Sequence, residues 1–154
     1  MKVFISGSIS IKELPQIAKE KLEKIMKQGL TVIIGDANGI DALVQNYYSE
    51  RKYQNVIVYH AGNYTRNNIG NWKTITVPSQ NLTGRALYTL KDKKMALDAD
   101  FGMMIWDGKS KGTKANIEEM SSLGKHFYVI QNETISIDKS FSKTSIQQPQ
   151  LFTI

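Results

Sequence analysis

The stretch IIGDANGID, residues 33–41, decides the fold of this chain. It continues the apolar run LTVII of residues 30–34, which lacks polar alternation, as expected for an interior strand of a parallel sheet. Gly35 and Gly39 then permit a tight turn, and apolar residues at helical spacing follow from Ile40. A strand, a glycine turn and a helix in this order present backbone N–H groups and a positive helix end to an anion.

A second stretch of the same kind is WDGKSKGT, residues 106–113. It follows another apolar segment and opens another helix, which Ser110 or Thr113 can cap. Lys109 and Lys111 add positive charge nearby. We interpret this turn as a phosphate or anion site. The two turns together suggest a nucleotide-like ligand held between them.

Strand and helix signals alternate along the rest of the chain, which predicts an α/β fold, a three-layer Rossmann-like sandwich with a mainly parallel sheet. The predicted strands are residues 2–6, 30–34, 55–59, 74–77, 101–106 and 127–130. The predicted helices are residues 12–28, the segment after Gly39, 85–97 and 113–123. In such a fold the ligand is expected at the carboxyl ends of the strands.

The domain organisation follows from these elements. We predict one Rossmann-like domain over residues 1–132 and a C-terminal extension over residues 133–154, which is either an added strand or a docking tail. Residues 61–82, rich in glycine and asparagine, form an irregular region without a predicted role. Loops of this length inside a compact domain are more often functional or mobile than idle.

Composition excludes several kinds of site. The 154 residues include no cysteine, which excludes disulfides, thiolate metal sites and cysteine nucleophiles, and the two histidines argue against a histidine-rich metal centre. The N-terminus enters a strand without a signal-peptide pattern, and no apolar run approaches the roughly 20 residues of a membrane span. We therefore expect a cytoplasmic protein with no membrane partner.

The net charge of +6 raises the possibility of a nucleic-acid partner. We attribute the charge mainly to the solvated face of the first helix, with Lys12, Lys19, Lys24 and Lys27. Only residues 64–72 combine aromatic and basic side chains, as a base-stacking platform would. We therefore expect a small-molecule nucleotide or nucleoside as the partner, and rank nucleic acid below it.

Neither turn matches a common nucleotide-binding fingerprint, since G-x-G-x-x-G and G-x-x-x-x-G-K-[ST] are both absent. Asp41 lies in the first turn of its predicted helix, where the helix dipole favours a carboxylate. It either stabilises the helix or holds a ribose hydroxyl or a base edge. The sequence leaves both interpretations open.

Three motifs in a fixed order carry a resemblance to a known family. They are FISGS at residues 4–8, GDANGID at residues 35–41, which is similar to G-G-A-x-G-x-D, and the segment at residues 95–113. On these motifs residues 2–130 resemble the SLOG superfamily, which includes the LOG phosphoribohydrolases and DNA-processing protein A; nucleoside 2-deoxyribosyltransferases have a similar architecture. The spacing is similar to that of a small bacterial and phage subgroup. The resemblance implies a Rossmann-like fold and self-association as a homodimer or larger.

The chain departs from the enzymes of this superfamily. LOG hydrolases and deoxyribosyltransferases have a catalytic glutamate three residues after a glycine-threonine pair, where this chain has Asn116, an amide that cannot act as nucleophile or base. Glu118 and Glu119 lie further along a helix that turns about 100° per residue, so we expect them to point out of the site. Where LOG hydrolases carry an arginine on the preceding helix, residues 91–95 offer only lysines, which lack the bidentate fork.

The expected function is binding of a nucleotide or nucleotide derivative, as in a sensor. The alternative is an enzyme that cleaves or transfers an N-glycosidic bond of a nucleoside or nucleotide, with Asp36, Asp41 and Asp107 as candidate catalytic carboxylates. A third hypothesis is single-stranded nucleic-acid binding. No protein metal site is predicted, although Mg²⁺ can accompany a bound nucleotide. The expected ligand-binding residues are Gly7, Ser8, Gly35, Asp36, Gly39, Asp41, Lys91, Asp107, Gly108, Ser110, Gly112 and Thr113.

Overall fold

A seven-stranded sheet with four helices makes up the structure, a computed structural model that describes residues 1–137. The strands are β1 (Lys2–Gly7), β2 (Thr31–Ile34), β3 (Val56–Ala61), β4 (Lys73–Val77), β5 (Phe101–Ile105), β6 (His126–Gln131) and β7 (Thr134–Ile137). The helices are α1 (Gln16–Lys27), α2 (Ile40–Glu50), α3 (Gly84–Asp98) and α4 (Lys111–Ser122).

The strand order is β4-β3-β2-β1-β5-β6-β7. Strands β1 to β6 are parallel, and β7 is antiparallel to β6. The chain moves outward from β1 to β4 and then returns to the other side of β1 with β5. β1 and β5 therefore form the topological switch point, where an open α/β sheet has a crevice at its carboxyl edge. The predicted α/β sandwich with a mainly parallel sheet is confirmed.

Alternation along the strands builds two apolar layers, because successive side chains of a strand point to opposite faces. Val3 and Ile5 of β1 pack into the layer that contains the buried residues of α1 and α2. Phe4, between them, packs into the layer that contains Met95 of α3 and Met120 of α4. Helices α3 and α4 therefore cover the same face of the sheet, and both flank the carboxyl edge of β1.

Helix α1 begins at Gln16, four residues later than the sequence predicts. Pro15 precedes the first turn, a position where its missing N–H costs no helical hydrogen bond. The Glu133 carboxylate, in the turn between β6 and β7, accepts the N–H groups of Gln16 and Ile17 at 3.0 Å each. The helix start is thus fixed by a residue that is distant in the sequence.

The predicted C-terminal extension is described only at its start. β7 lies within it and pairs with β6, whereas residues 138–154 lie outside the described residues. The division into a domain and an extension stays a prediction. Within residues 1–137, each helix falls short of the length or apolar character that crossing a membrane requires.

Candidate functional site

A cavity of about 710 Å³ lies at the carboxyl end of β1, beside α3 and α4. Its lining combines the segment after β1, the first turn of α4, and α3 residues from Arg85 to Met95. This is the edge where the Rossmann-like topology places a ligand. The volume falls within the usual range for sites of small ligands, about 300–1,000 Å³.

The cavity brings together most of the residues that the sequence singles out. The predicted ligand-binding residues in its lining are Gly7, Ser8, Asp41, Lys91, Asp107, Ser110, Gly112 and Thr113. The lining does not include Gly35, Asp36, Gly39 or Gly108. A direct ligand contact by those four residues stays a prediction.

The β2–α2 turn, residues 35–39, is covered by the chain itself. Arg66 donates its backbone N–H to Asp36 Oδ2 at 2.8 Å and its guanidinium to Oδ1 at 2.7 Å. Asn67 Nδ2 donates to the carbonyls of Asp36 and Ala37 at 2.9 and 3.2 Å. Part of the irregular region after β3 therefore lies on the turn that the sequence suggests as an anion site.

Gln45, fully buried on α2, holds this loop in place. Its Nε2 donates to the carbonyls of Gly35 and Asn67 at 3.0 and 3.1 Å, and its Oε1 accepts the Ile69 N–H at 2.9 Å. The loop position places the Arg66 guanidinium 4.2 Å from the centroid of the exposed Tyr88 ring, on α3. An arginine on an aromatic face is a cation–π pair.

The two glycines of the β2–α2 turn allow close packing. A Cβ on Gly35 would lie 2.6 Å from Asp41 Oδ2 and 2.7 Å from Lys91 Nζ. Gly39 has φ +72°, and a Cβ there would lie 2.4 Å from the Ile9 backbone. A larger residue at Gly35 would therefore displace Asp41 and Lys91, and one at Gly39 would clash with the backbone of Ile9.

A group of ionisable side chains forms that inner part. Lys91 Nζ, buried, lies 3.6 Å from Asp36 Oδ1 and 3.5 Å from Asp92 Oδ1. Burial alone would raise the pKa of Asp36, but the hydrogen bonds from Arg66 and the charge of Lys91 hold it below its usual value. Burial raises the pKa of Asp92, and it raises the pKa of Asp41 to about 6. Asp36 is thus an ionised anchor, whereas Asp41 keeps its proton in mild acid.

The β5–α4 turn, residues 106–110, is organised by the carboxylate of Asp107. It accepts the Ser10 hydroxyl at 2.6 Å and the N–H groups of Lys109 and Ser110 at 2.8 and 2.7 Å. These hydrogen bonds, the one from Ser10 first, hold the pKa of Asp107 well below its usual range. Asp107 therefore stabilises its own turn.

Three hydroxyl groups connect this turn to β1. Ser8 Oγ accepts the Asp107 N–H at 3.0 Å and lies 2.8 Å from Ser110 Oγ. Ser110 Oγ donates to Thr113 Oγ1 at 2.9 Å. These contacts hold the N-terminus of α4 beside the carboxyl end of β1.

The N-terminus of α4 faces the cavity. Ser110 is the N-cap, but its side chain makes no capping hydrogen bond, and Gly112 and Thr113 of the first turn line the cavity. A Cβ on Gly112 would meet no atom within 4 Å. The first-turn N–H groups of a helix have no partner within the helix and favour an anion. Anion binding at this turn stays a prediction.

Beyond its first turn, α4 lines the cavity with Ala115 and with two polar side chains. Asn116 donates to Ser6 Oγ at 2.7 Å, and Glu119 also belongs to the lining, unlike Glu118. The expectation that both glutamates point out of the site is wrong for Glu119. Residues three apart share a helix face, so Glu119 follows Asn116 toward the cavity.

The cavity has more positively charged side chains than the sequence indicates. Arginines reach it from positions outside residues 91–95: Arg85 from the first turn of α3 and Arg66 from the loop after β3. Lys12 precedes α1 and lines the cavity, so its assignment to the solvated face of that helix is wrong. Arg85 lies on the same predicted helix as Lys91, and this could have indicated from the sequence that an arginine reaches the site. No sequence motif indicates that Arg66 returns to this site.

Besides Arg66, four exposed cationic side chains line the cavity, and we call these four the rim cations: Lys12, Arg85, Lys93 and Lys111. Lys109, in the same turn as Lys111, is not part of the lining. Within the part of the chain that the structure describes, no group of three or more histidine, aspartate and glutamate side chains is arranged to hold a metal ion.

Comparison with known proteins identifies a structural neighbour. No family model and no curated protein sequence matches the chain. The structure is similar to that of DNA processing protein A from Helicobacter pylori, with a TM-score of 0.66, 13% sequence identity, and coverage of 98% of this chain and 75% of that one. This likeness shows a Rossmann-like fold. Membership of the SLOG subgroup, self-association and a cytoplasmic location stay predictions.

The neighbour corrects the expected partner, because the Helicobacter pylori protein binds single-stranded DNA. Ranking nucleic acid below a small-molecule nucleotide is therefore wrong. The ranking treated the basic residues as a solvated helix face, whereas the fold gathers cations from separate segments around one cavity.

Proposed function

We propose that this chain binds single-stranded nucleic acid across the cavity at the carboxyl edge of β1. The observation that carries the proposal is the convergence of the four rim cations and the N-terminus of α4 on one cavity. Single-stranded nucleic acid is bound by basic grooves that follow the phosphate backbone and by aromatic side chains that stack on bases. The fold shared with a single-stranded DNA binding protein supports the same function.

The distances between the rim cations favour a ligand with several successive phosphates over a ligand with one phosphate. Arg85 and Lys93 are eight residues apart on α3, which separates their Cα atoms by about 12 Å along the helix axis. Lys111 adds a third position at the start of α4. Positions this far apart match successive phosphates of a strand better than a single phosphate group.

The aromatic element of such a site is Tyr88. Its side chain is 39% exposed at the cavity, and the guanidinium of Arg66 lies over its ring. Both planar groups offer a surface on which any of the bases can stack. The backbone contacts and the stacking surface thus lie on the same side of the molecule.

The proposal is tested by fluorescence anisotropy with a labelled single-stranded DNA at several salt concentrations. The triple variant Arg85→Ala, Lys93→Ala and Lys111→Ala should bind more weakly, and the slope of log K against log salt should become shallower by about 2, since each phosphate contact contributes about 0.7.

The matched control removes the same charge elsewhere, with Lys24→Ala, Lys27→Ala and Lys73→Ala on exposed positions outside the cavity lining. This variant should keep most of the wild-type slope. Absent or salt-independent binding by the wild type, or equal losses in both triple variants, would overturn the proposal.

One observation favours a second candidate, cleavage of an N-glycosidic bond in a bound nucleotide unit. Asp41 is a buried cavity carboxyl whose pKa burial raises to about 6, so it can protonate a leaving base as water attacks the sugar carbon. Asp36 and Asp107 are occupied by hydrogen bonds of their own turns. Release of free base from an incubated oligonucleotide, lost in Asp41→Asn, is the expected result. Unchanged release in that variant would contradict the assignment.

A further inference from the structure

The cavity is polarised, with cations at its rim and carboxylates inside. Lys91 inside the cavity and Arg66, which reaches Asp36 from the mouth, each lie within 4 Å of a carboxylate, and Asp36 is their shared partner. Asp92 is the second carboxylate beside Lys91. Together with Asp41, and with Asp36 just behind the lining, these side chains are three carboxylates and two cations, a net charge of −1 when all five are ionised. Such an interior disfavours a phosphate, so the phosphates belong at the rim.

Asp41 is the inner carboxylate with most unused hydrogen-bonding capacity. Its side chain accepts the Ala37 N–H at 3.1 Å, and no salt bridge within residues 1–137 involves it. Asp92, half-buried, is shared between Lys91 and Asn116. Each carboxylate oxygen has about two lone-pair sites, so both groups can accept further donors from a ligand.

The other surfaces of the cavity suit a flat ring. Phe4 and Met95 contribute apolar lining, and Tyr88 with its Arg66 partner forms a planar wall near the mouth. A pocket with apolar walls and few polar groups fixes the orientation of its ligand by those polar groups. The described geometry therefore fits an unstacked ring whose donor edge points inward.

We propose, on the basis of the proposed nucleic-acid binding, that the cavity receives one unstacked nucleobase and selects bases with an exocyclic amino group through Asp41 and Asp92. Carboxylates accept from the N4 amino group of cytosine, a pairing that protein–DNA complexes use for base readout. Uracil and thymine present carbonyl oxygens at the corresponding positions, and these would face the carboxylates without a donor. A buried acceptor without a donor is disfavoured.

The test compares single-stranded oligonucleotides of deoxycytidine and deoxyuridine of equal length. The two differ at the base edge in question and lack the strong stacking of purine strands. The wild type should bind the deoxycytidine strand about tenfold more tightly than the deoxyuridine strand, as expected for one specific base contact.

The variants Asp41→Asn and Asp92→Asn replace a carboxylate by an amide of the same shape, and each should reduce this preference to less than about threefold. Glu118→Gln, an exposed change on α4 outside the cavity lining, is the charge-matched control and should retain it. Circular dichroism of each variant verifies folding, and Asp92→Asn, at a side chain more exposed than that of Asp41, provides the test if Asp41→Asn does not fold.

The outcomes separate this inference from the function on which it rests. If neither strand binds, the proposed nucleic-acid binding fails. If both strands bind equally, or if the preference persists in both variants, base selection by Asp41 and Asp92 is wrong while nucleic-acid binding stands.

Discussion

The β2–α2 turn and the β5–α4 turn have the same strand–glycine–helix design and lie on either side of β1. They differ in what contacts them. Arg66 and Asn67 donate to Asp36 and Ala37 of the first turn, so the chain fills that turn itself. At the second turn, Asp107 satisfies the N–H groups of the turn, and the start of α4 faces an open cavity.

The same local motif is thus closed by the chain itself at residues 35–39, a contact that we call the clamp, and left open to the cavity at the start of α4. The clamp also holds Arg66 against Tyr88 at the cavity mouth. Substitutions at the clamp should therefore affect folding, and substitutions at the open turn should affect binding.

The largest effect is expected at the clamp. Asp36→Ala should destabilise the protein by about 3 kcal/mol, because it leaves the Arg66 and Lys91 charges without their shared buried partner. Urea unfolding at neutral pH measures this loss. Lys111→Ala, at the open turn, should change the free energy of unfolding by less than about 0.5 kcal/mol. Similar stability changes in the two variants would contradict the assignment of a clamp.

A pH-dependent effect is expected at Asp41. Burial raises its pKa to about 6, so between about pH 4 and 6 the folded state holds a proton that the unfolded chain has lost. The unfolded state binds fewer protons, so this group's contribution to stability falls as pH rises through the window, by roughly 3 kcal/mol in all. Asp41→Asn should therefore be more stable than the wild type above pH 6 and similar to it near pH 4, as measured by urea unfolding.

Asp107 should show the opposite pH dependence, with a contribution to stability that decreases as the pH falls. Its pKa is depressed by the hydrogen bonds of its turn, so its contribution is present at neutral pH and lost as pH falls through the depressed value. Asp107→Asn should be less stable than the wild type at neutral pH, and the difference should shrink on acidification. Difference curves of the same sign for Asp41→Asn and Asp107→Asn would refute the contrast between the two groups.

A binding effect without a folding effect is expected at Gly112. A Cβ there meets no atom of the protein, so Gly112→Ala should change stability by less than about 1 kcal/mol. The methyl group would lie at the helix N-terminus where a phosphate approaches, and affinity for single-stranded DNA should fall about tenfold, the size of one charge-assisted hydrogen bond. Anisotropy titration measures it, with Ser121→Ala at the exposed far end of α4 as control. Unchanged affinity would show that no phosphate binds at the N-terminus of α4.

The smallest effect distinguishes two lysines of one segment. Lys111 lines the cavity and Lys109 does not, although both are exposed. Lys111→Ala should make the salt dependence of DNA binding shallower by about 0.7, the contribution of one phosphate contact to a single strand. Lys109→Ala, with the same loss of charge, should leave the slope nearly unchanged. Equal slopes in the two variants would show that a position in the cavity lining does not decide which lysine contacts a phosphate.

Much of the fold could be predicted from local patterns. The apolar run at residues 30–34 became β2, and the apolar spacing after Gly39 became α2, because hydrophobic periodicity reports which side chains must be buried. Helix α1 was misplaced at its start, since the Glu133 carboxylate that fixes it comes from the other end of the described chain.

The sequence alone determined the order of strands and helices and the presence of two glycine turns, because these depend on the periodicity and backbone preferences of neighbouring residues. Only the tertiary structure decided that Arg66 and Asn67 fill one turn and that Glu119 and Arg85 line the cavity beside the other. These contacts join residues distant in the chain, and their energies depend on burial and charge, which no local pattern contains.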